Sequence, residues 1–125
     1  MKPWAIILTV MLVLLTALSS DWYIGRTAET LLNGLSELQQ SLEGEEWAFV
    51  AIQTAAVEAQ WRKVCPIWQM LINHREIDTI EQSLARLRKY AGEKVKVDSL
   101  GEIGVLMEIV GHIPEMNAAM FGNIF

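Results

Sequence analysis

The 125-residue chain has one cysteine, three prolines and two histidines, and its ten basic residues stand against fifteen acidic ones. A lone cysteine excludes an internal disulfide framework and a cysteine-cluster zinc site. A net charge of -5 argues against nucleic acid as a partner, because phosphate neutralisation needs a basic surface. Also missing are a glycine-rich phosphate loop after a strand, a His-Glu-x-x-His pattern and any Ser-His-Asp setting, so no motif names a reaction. No stretch alternates with period two for long enough to form a strand. What remains is an all-α chain, expected to be non-enzymatic and to carry no cofactor.

Charge is scarce at the N-terminus as well. From Trp4 to Leu18 every residue except Thr9 and Thr16 is apolar, and Lys2 is the only charged side chain upstream. A helix apolar all round must be buried in protein or lipid. Two readings compete. Ala17-Leu18-Ser19 offers small residues at the spacing a signal peptidase accepts, so the chain could be secreted after cleavage. Alternatively the segment from Pro3 to Ile24, roughly 33 Å as a helix at about 1.5 Å per residue, is long enough to stay as a membrane anchor. Trp4 at one end and Trp22 and Tyr23 at the other suit the headgroup zones, and Lys2 places the N-terminus in the cytoplasm. Either way the remainder is exported. The expected organisation is a signal anchor over residues 1–25 and an extracytoplasmic helical domain over 26–125.

Within that domain apolar residues recur at Ile24, Ala28, Leu31, Leu35, Leu38 and Leu42 in alternating steps of four and three, a heptad seam that must pack on another helix. The same phase continues from the apolar segment with no proline between, leaving only a soft break near Gly25. Gly44 ends the first rod. A second seam runs through Trp47, Val50, Thr54, Val57, Trp61 and Val64, and Trp68 and Leu71 extend it. A third, through Met70, Asn73, Ile77, Ile80, Leu84, Leu87 and Ala91, is one residue out of phase, as a proline break at Cys65-Pro66 would make it. Ser99 and Glu102 have the spacing of a capping box, and Pro114 stops the last helix. The expected helices are about 27–43, 45–64, 66–91 and 98–113, forming an up-and-down antiparallel bundle.

Few residues suggest chemistry. His74 and Asp78 are four apart, as are Glu108 and His112, so two packed helices could bring the four together as a metal or acid/base cluster. Polar pairs that set helix register explain the same spacing. Trp47, Trp61 and Trp68 share one stripe, either a packed core seam or a partner-docking face. Arg86, Arg88, Lys89, Lys94 and Lys96 form a basic end suited to solvent or to anionic lipid. Cys65 is either a free thiol or a link between chains in an oxidising compartment.

The stretch Trp61-Arg62-Lys63-Val64-Cys65-Pro66-Ile67-Trp68, followed by Leu71 to Asp78 and Ser83-Leu84-Ala85-Arg86-Leu87, resembles the bacterial family called domain of unknown function 4363. Gly111-His112-Ile113-Pro114-Glu115 and the closing Asn123-Ile124-Phe125 are similar to that family's ends, and the resemblance extends over nearly the whole chain, the N-terminal hydrophobic segment included. It implies a small membrane-anchored helical protein of spore-forming Gram-positive bacteria with no assigned activity. It also implies a neighbouring integral membrane protein, of the domain of unknown function 421 type, as partner, with self-association a further option. The expected function is an accessory or structural subunit of a membrane complex. The alternative is a metal-binding or sensory module using His74, Asp78 and His112.

Overall fold

A computed structural model describes residues 2–124, with side chains described as far as Met116. It contains four helices, α1 (Pro3–Glu43), α2 (Trp47–Leu71), α3 (His74–Gly92) and α4 (Lys96–Ile124), and no strand among the described residues. α1 packs on α2 and α4, α3 packs on the same two, and the diagonal pairs do not approach. This is a closed four-helix ring. Cross-helix bonds set the directions. The pairs Glu58–Arg88 and Cys65–Glu81 are related by seven residues forward on α2 and seven back on α3, so those helices are antiparallel.

α1 is 41 residues long, roughly 60 Å at about 1.5 Å per residue, and passes through Gly25 without interruption. Its C-terminal half buries Ile24, Ala28, Leu31, Leu35, Leu38 and Leu42, the stripe that the heptad spacing marks out. Its N-terminal half stands clear of the bundle. The helix continues through residue 25, so the anchor candidate and the first core helix are one uninterrupted helix.

The break expected at Cys65-Pro66 lies instead at Ile72 and Asn73. α2 runs through Pro66 to Leu71, and its buried stripe of Val57, Trp61, Val64, Cys65 and Trp68 crosses the proline without changing phase. Pro66 denies a hydrogen bond to the carbonyl of Arg62, but both residues lie on the exposed face, where water can serve that carbonyl. Burying two tryptophans across the proline outweighs the local penalty: each aromatic side chain contributes about 3 kcal/mol by burial. Met70 and Asn73, placed on a seam by the phase reading, are exposed. Asn73 instead caps α3, its side chain accepting from the backbone N–H of Arg75 at 2.9 Å.

α4 departs in the same way. It begins at Lys96 and continues through Pro114 to Ile124. The capping box does not form: Ser99 is fully buried inside the helix, its hydroxyl donating to the carbonyl of Val95 at 2.6 Å. Glu102 reaches sideways to α3 instead.

Both turns at the end of the bundle remote from the apolar segment use one device. Glu46 N–H donates to Ser41 C=O and Glu45 N–H to Leu42 C=O. Val95 N–H donates to Tyr90 C=O and Lys94 N–H to Ala91 C=O. These are Schellman closures. The residue in the left-handed region is Glu45 at φ 53° in the first and Lys94 at φ 59° in the second. Gly44, the residue expected to stop α1, sits at φ -84°. A side chain in that region is strained where glycine is not. Glu45→Gly should therefore stabilise the protein by about 0.5–1 kcal/mol, and Gly44→Ala should change it little. Thermal unfolding of the full chain in detergent, followed by circular dichroism, checks the pair. A larger loss from Gly44→Ala than the gain from Glu45→Gly would contradict the assignment.

Candidate functional site

The most unusual surface is the first half of α1. Its most apolar 18 residues have a mean hydropathy of 2.0 and none of them is buried, which is long and apolar enough to cross a membrane or to serve as a signal sequence. The polar side chains there look after themselves. Thr9 donates to Ala5 C=O, Thr16 to Leu12 C=O and Ser20 to Thr16 C=O, all at 2.8–2.9 Å, so these hydroxyls need no water. Trp4 and Trp22, both mostly exposed, are 18 residues apart, roughly 27 Å along the helix and close to the thickness of a hydrocarbon core.

Where α1 enters the bundle, an open, mostly apolar groove lies between it and the end of α2, lined by Leu15, Leu18, Trp22, Ile67 and Leu71 among others. Next to Ile67, the Trp68 ring is fully buried, its Nε1–H donates to Thr27 Oγ1 at 2.9 Å, and Trp61 packs on it edge to face with centroids 5.6 Å apart. Trp61 and Trp68 thus lie in the core, with Trp47 half-buried against it, and none of the three offers an open docking face.

The outside of the ring is tied by charged groups. Glu102 accepts from Ser83 Oγ at 2.6 Å and from Arg86 Nε at 2.7 Å, joining α4 to α3. Burial raises the Glu102 carboxyl, but hydrogen bonds from Arg86 and Ser83 and the guanidinium charge outweigh it and hold the group below the usual carboxylate range. Arg88 reaches Glu58 at 3.4 Å, joining α3 to α2, and Arg62 approaches the same carboxylate at 3.9 Å. Two of the five cations in the expected basic end are therefore committed to ion pairs. Glu58, Trp61, Glu81 and Arg88 line a shallow pocket beside them, and Trp61 Nε1 and Glu58 Oε1 are buried without a hydrogen-bond partner among the described residues.

Cys65 is buried, and its Sγ–H donates to Glu81 Oε1 at 3.4 Å. Burial, with the Glu81 carboxylate beside it, pushes the thiol up to about 11. A thiol so held is neither an available nucleophile nor within reach of a second chain.

The four candidate ligands do not converge. His74, Asp78, Glu108 and His112 are all exposed, and His112 Nδ1 faces Glu115 on its own helix at 3.7 Å. Among the described residues no group of three histidine, cysteine or carboxylate side chains could hold a metal.

The fold and surface define a small four-helix bundle carried on one long apolar helix. The chain belongs to the family described as Domain of unknown function (DUF4363), which matches residues 18–124. The match begins at Leu18, so most of the apolar segment lies outside it, which corrects the expectation that the resemblance includes that segment. No curated protein and no solved structure matches the chain.

Two outcomes follow. Glu102→Gln should cost about 1 kcal/mol near neutral pH, the partly exposed Arg86 limiting the effect. Because the folded carboxyl sits below its ordinary value of 4.5, its contribution is present above that pH and lost as pH falls through the lower folded value. Wild type and variant should then converge in thermal unfolding at low pH; a constant gap would contradict the ion pair. Cys65 should resist alkylation in the folded chain near neutral pH and react promptly once unfolded, as intact mass would record.

Proposed function

We propose that this chain is a non-enzymatic, single-pass protein of the cell membrane. It keeps its apolar helix as an anchor with Lys2 on the cytoplasmic side, and holds the bundle outside as an accessory or structural subunit of a membrane complex. The observation that carries this reading is the continuity of α1: one helix is fully exposed and apolar over its first half and buries the core stripe over its second. A rod of that kind suits a bundle held at a fixed distance from a bilayer. The described surface is tied by hydrogen bonds and ion pairs rather than opened by a cleft with converging reactive groups, which favours binding over catalysis.

The resemblance to a family of spore-forming Gram-positive bacteria supports an integral membrane protein of the domain of unknown function 421 type as partner. The outer face of α2 supports a protein contact as well. Phe49 and Ile52 are 58% and 66% exposed there, among the exposed alanines Ala48, Ala51, Ala55, Ala56 and Ala59. Clustered apolar exposure of this kind, rather than a scattered residue, is what a partner covers.

Two measurements test the proposal. Alkaline extraction of native membranes should leave the protein in the pellet with an intact mass of 14.1 kDa. A chain beginning near Ser20 would remove the anchor. Affinity purification in mild detergent should recover the integral partner with the wild type, and Phe49→Lys with Ile52→Lys should lose it while helicity is unchanged. Recovery of the wild type alone and monomeric would count against the accessory role.

A further inference from the structure

The apolar exposure at the base of the bundle extends beyond α1. Thr27 and Trp68 are hydrogen-bonded, so they share a level on the antiparallel helices α1 and α2. Four residues further along α2 from Trp68, the α2–α3 turn at Ile72 stands level with Tyr23, four residues back along α1 from Thr27. The turn therefore lies beside Trp22 and Tyr23, the ring pair that closes the apolar segment. Because α1 is unbroken between Pro3 and Glu43, this height is set by a rigid helix and not by a linker.

Beside the exposed Asp21 and Gln69, the large apolar residues at that level are open. Met70 is 83% exposed, the highest among the exposed large hydrophobics, and Trp22 is 67% and Ile67 42% exposed. Met116 on α4, four residues past the exposed His112, is also open. The groove described above joins Trp22 and Ile67 of this patch to Leu15 and Leu18, with Thr16, Ser19 and Ser20 as its small polar lining. Past the turn the chain becomes polar at once with Asn73, His74 and Arg75, all exposed. An apolar turn followed directly by polar and cationic side chains has the depth profile of the boundary between acyl chains and headgroups.

We infer that the α2–α3 turn is itself a membrane-contacting element. Ile67, Met70 and Leu71 enter the outer interfacial layer of the bilayer next to Trp22, lipid acyl chains fill the groove between α1 and α2, and His74 and Arg75 lie among the headgroups. The bundle is then seated on the membrane at two points, the spanning helix and the turn, which holds it upright and limits its rotation about α1. This rests on the retained anchor proposed above. The occupant is phospholipid because the groove is continuous with the face of α1 assigned to lipid and has the same apolar lining. Val97, exposed at the opposite end among Lys94, Lys96 and Asp98, has no such continuity and serves as the contrast.

The test uses the full chain in phosphatidylcholine vesicles, with single cysteines at Met70→Cys, Val97→Cys and Leu12→Cys carrying an environment-sensitive fluorophore. The buried Cys65 stays unlabelled, as labelling of wild type verifies. Spin-labelled lipids quench from a shallow or a deep position. The expected result is loss of most emission at position 70 with the shallow quencher, at position 12 with the deep quencher, and at position 97 with neither. Quenching at 12 without quenching at 70 keeps the anchor and overturns the seated turn. A blue-shifted but unquenched probe at 70 marks a protein contact and overturns it equally. Absence of quenching at both 12 and 70 removes the anchor and the turn together.

Discussion

Burial of one stripe of α1, from Ile24 to Leu42, is the constraint on which the rest of the molecule depends. α1 has a neighbour on each side, α2 and α4, and its leucines lie in the core shared with them, so covering that stripe joins half of the ring's contacts. The apolar segment belongs to the same helix. Whatever environment takes up Trp4 to Trp22 therefore fixes the orientation of the core stripe as well, since a continuous helix transmits its direction through every intervening hydrogen bond.

The polar ties share a second logic. Thr27–Trp68 joins α1 to α2, Glu58–Arg88 joins α2 to α3, and Ser83–Glu102–Arg86 joins α3 to α4. Each joins neighbouring helices at one level, and its hydrogen bonds offset the desolvation of the groups it holds, so it selects one register over its neighbours. Both turns at the far end close over Glu45 and Lys94. The ring's apolar surfaces are the outer face of α2 and the base beside Trp22.

The seam of α1 was legible from its spacing because a helix buried along one stripe leaves every third or fourth residue apolar. The two prolines misled for one reason. Pro66 and Pro114 weaken a helix locally, but the stripe of Val64, Cys65 and Trp68 and the buried Val110 and Ile113 lie beside them, and core packing keeps the helix intact. The phase shift that suggested a break at Cys65 marks the turn at Ile72. Ser99 and Glu102 matched a capping box by spacing alone, and burial of Ser99 with the pull of Arg86 on Glu102 sent both elsewhere. The exposed His74, Asp78, Glu108 and His112 had the right spacing within their helices, yet helix rotation is set by the apolar stripe and leaves them apart on the surface. The apolar turn beside Trp22 was hidden, because Met70 was placed on a core seam; a hydrophobic residue at a helix end reads the same whether it faces the core or a membrane.

The apolar segment and the core stripe belong to one uninterrupted helix. The most direct measurement is a spin-spin distance between nitroxides at Leu12→Cys and Asn33→Cys on α1, both exposed, in a Cys65→Ala chain reconstituted in lipid. A single rod gives a narrow distribution of backbone separation centred at roughly 32 Å for 21 residues at about 1.5 Å each. A broad distribution shifted to shorter distances would mean a hinge at Gly25 and would contradict the account.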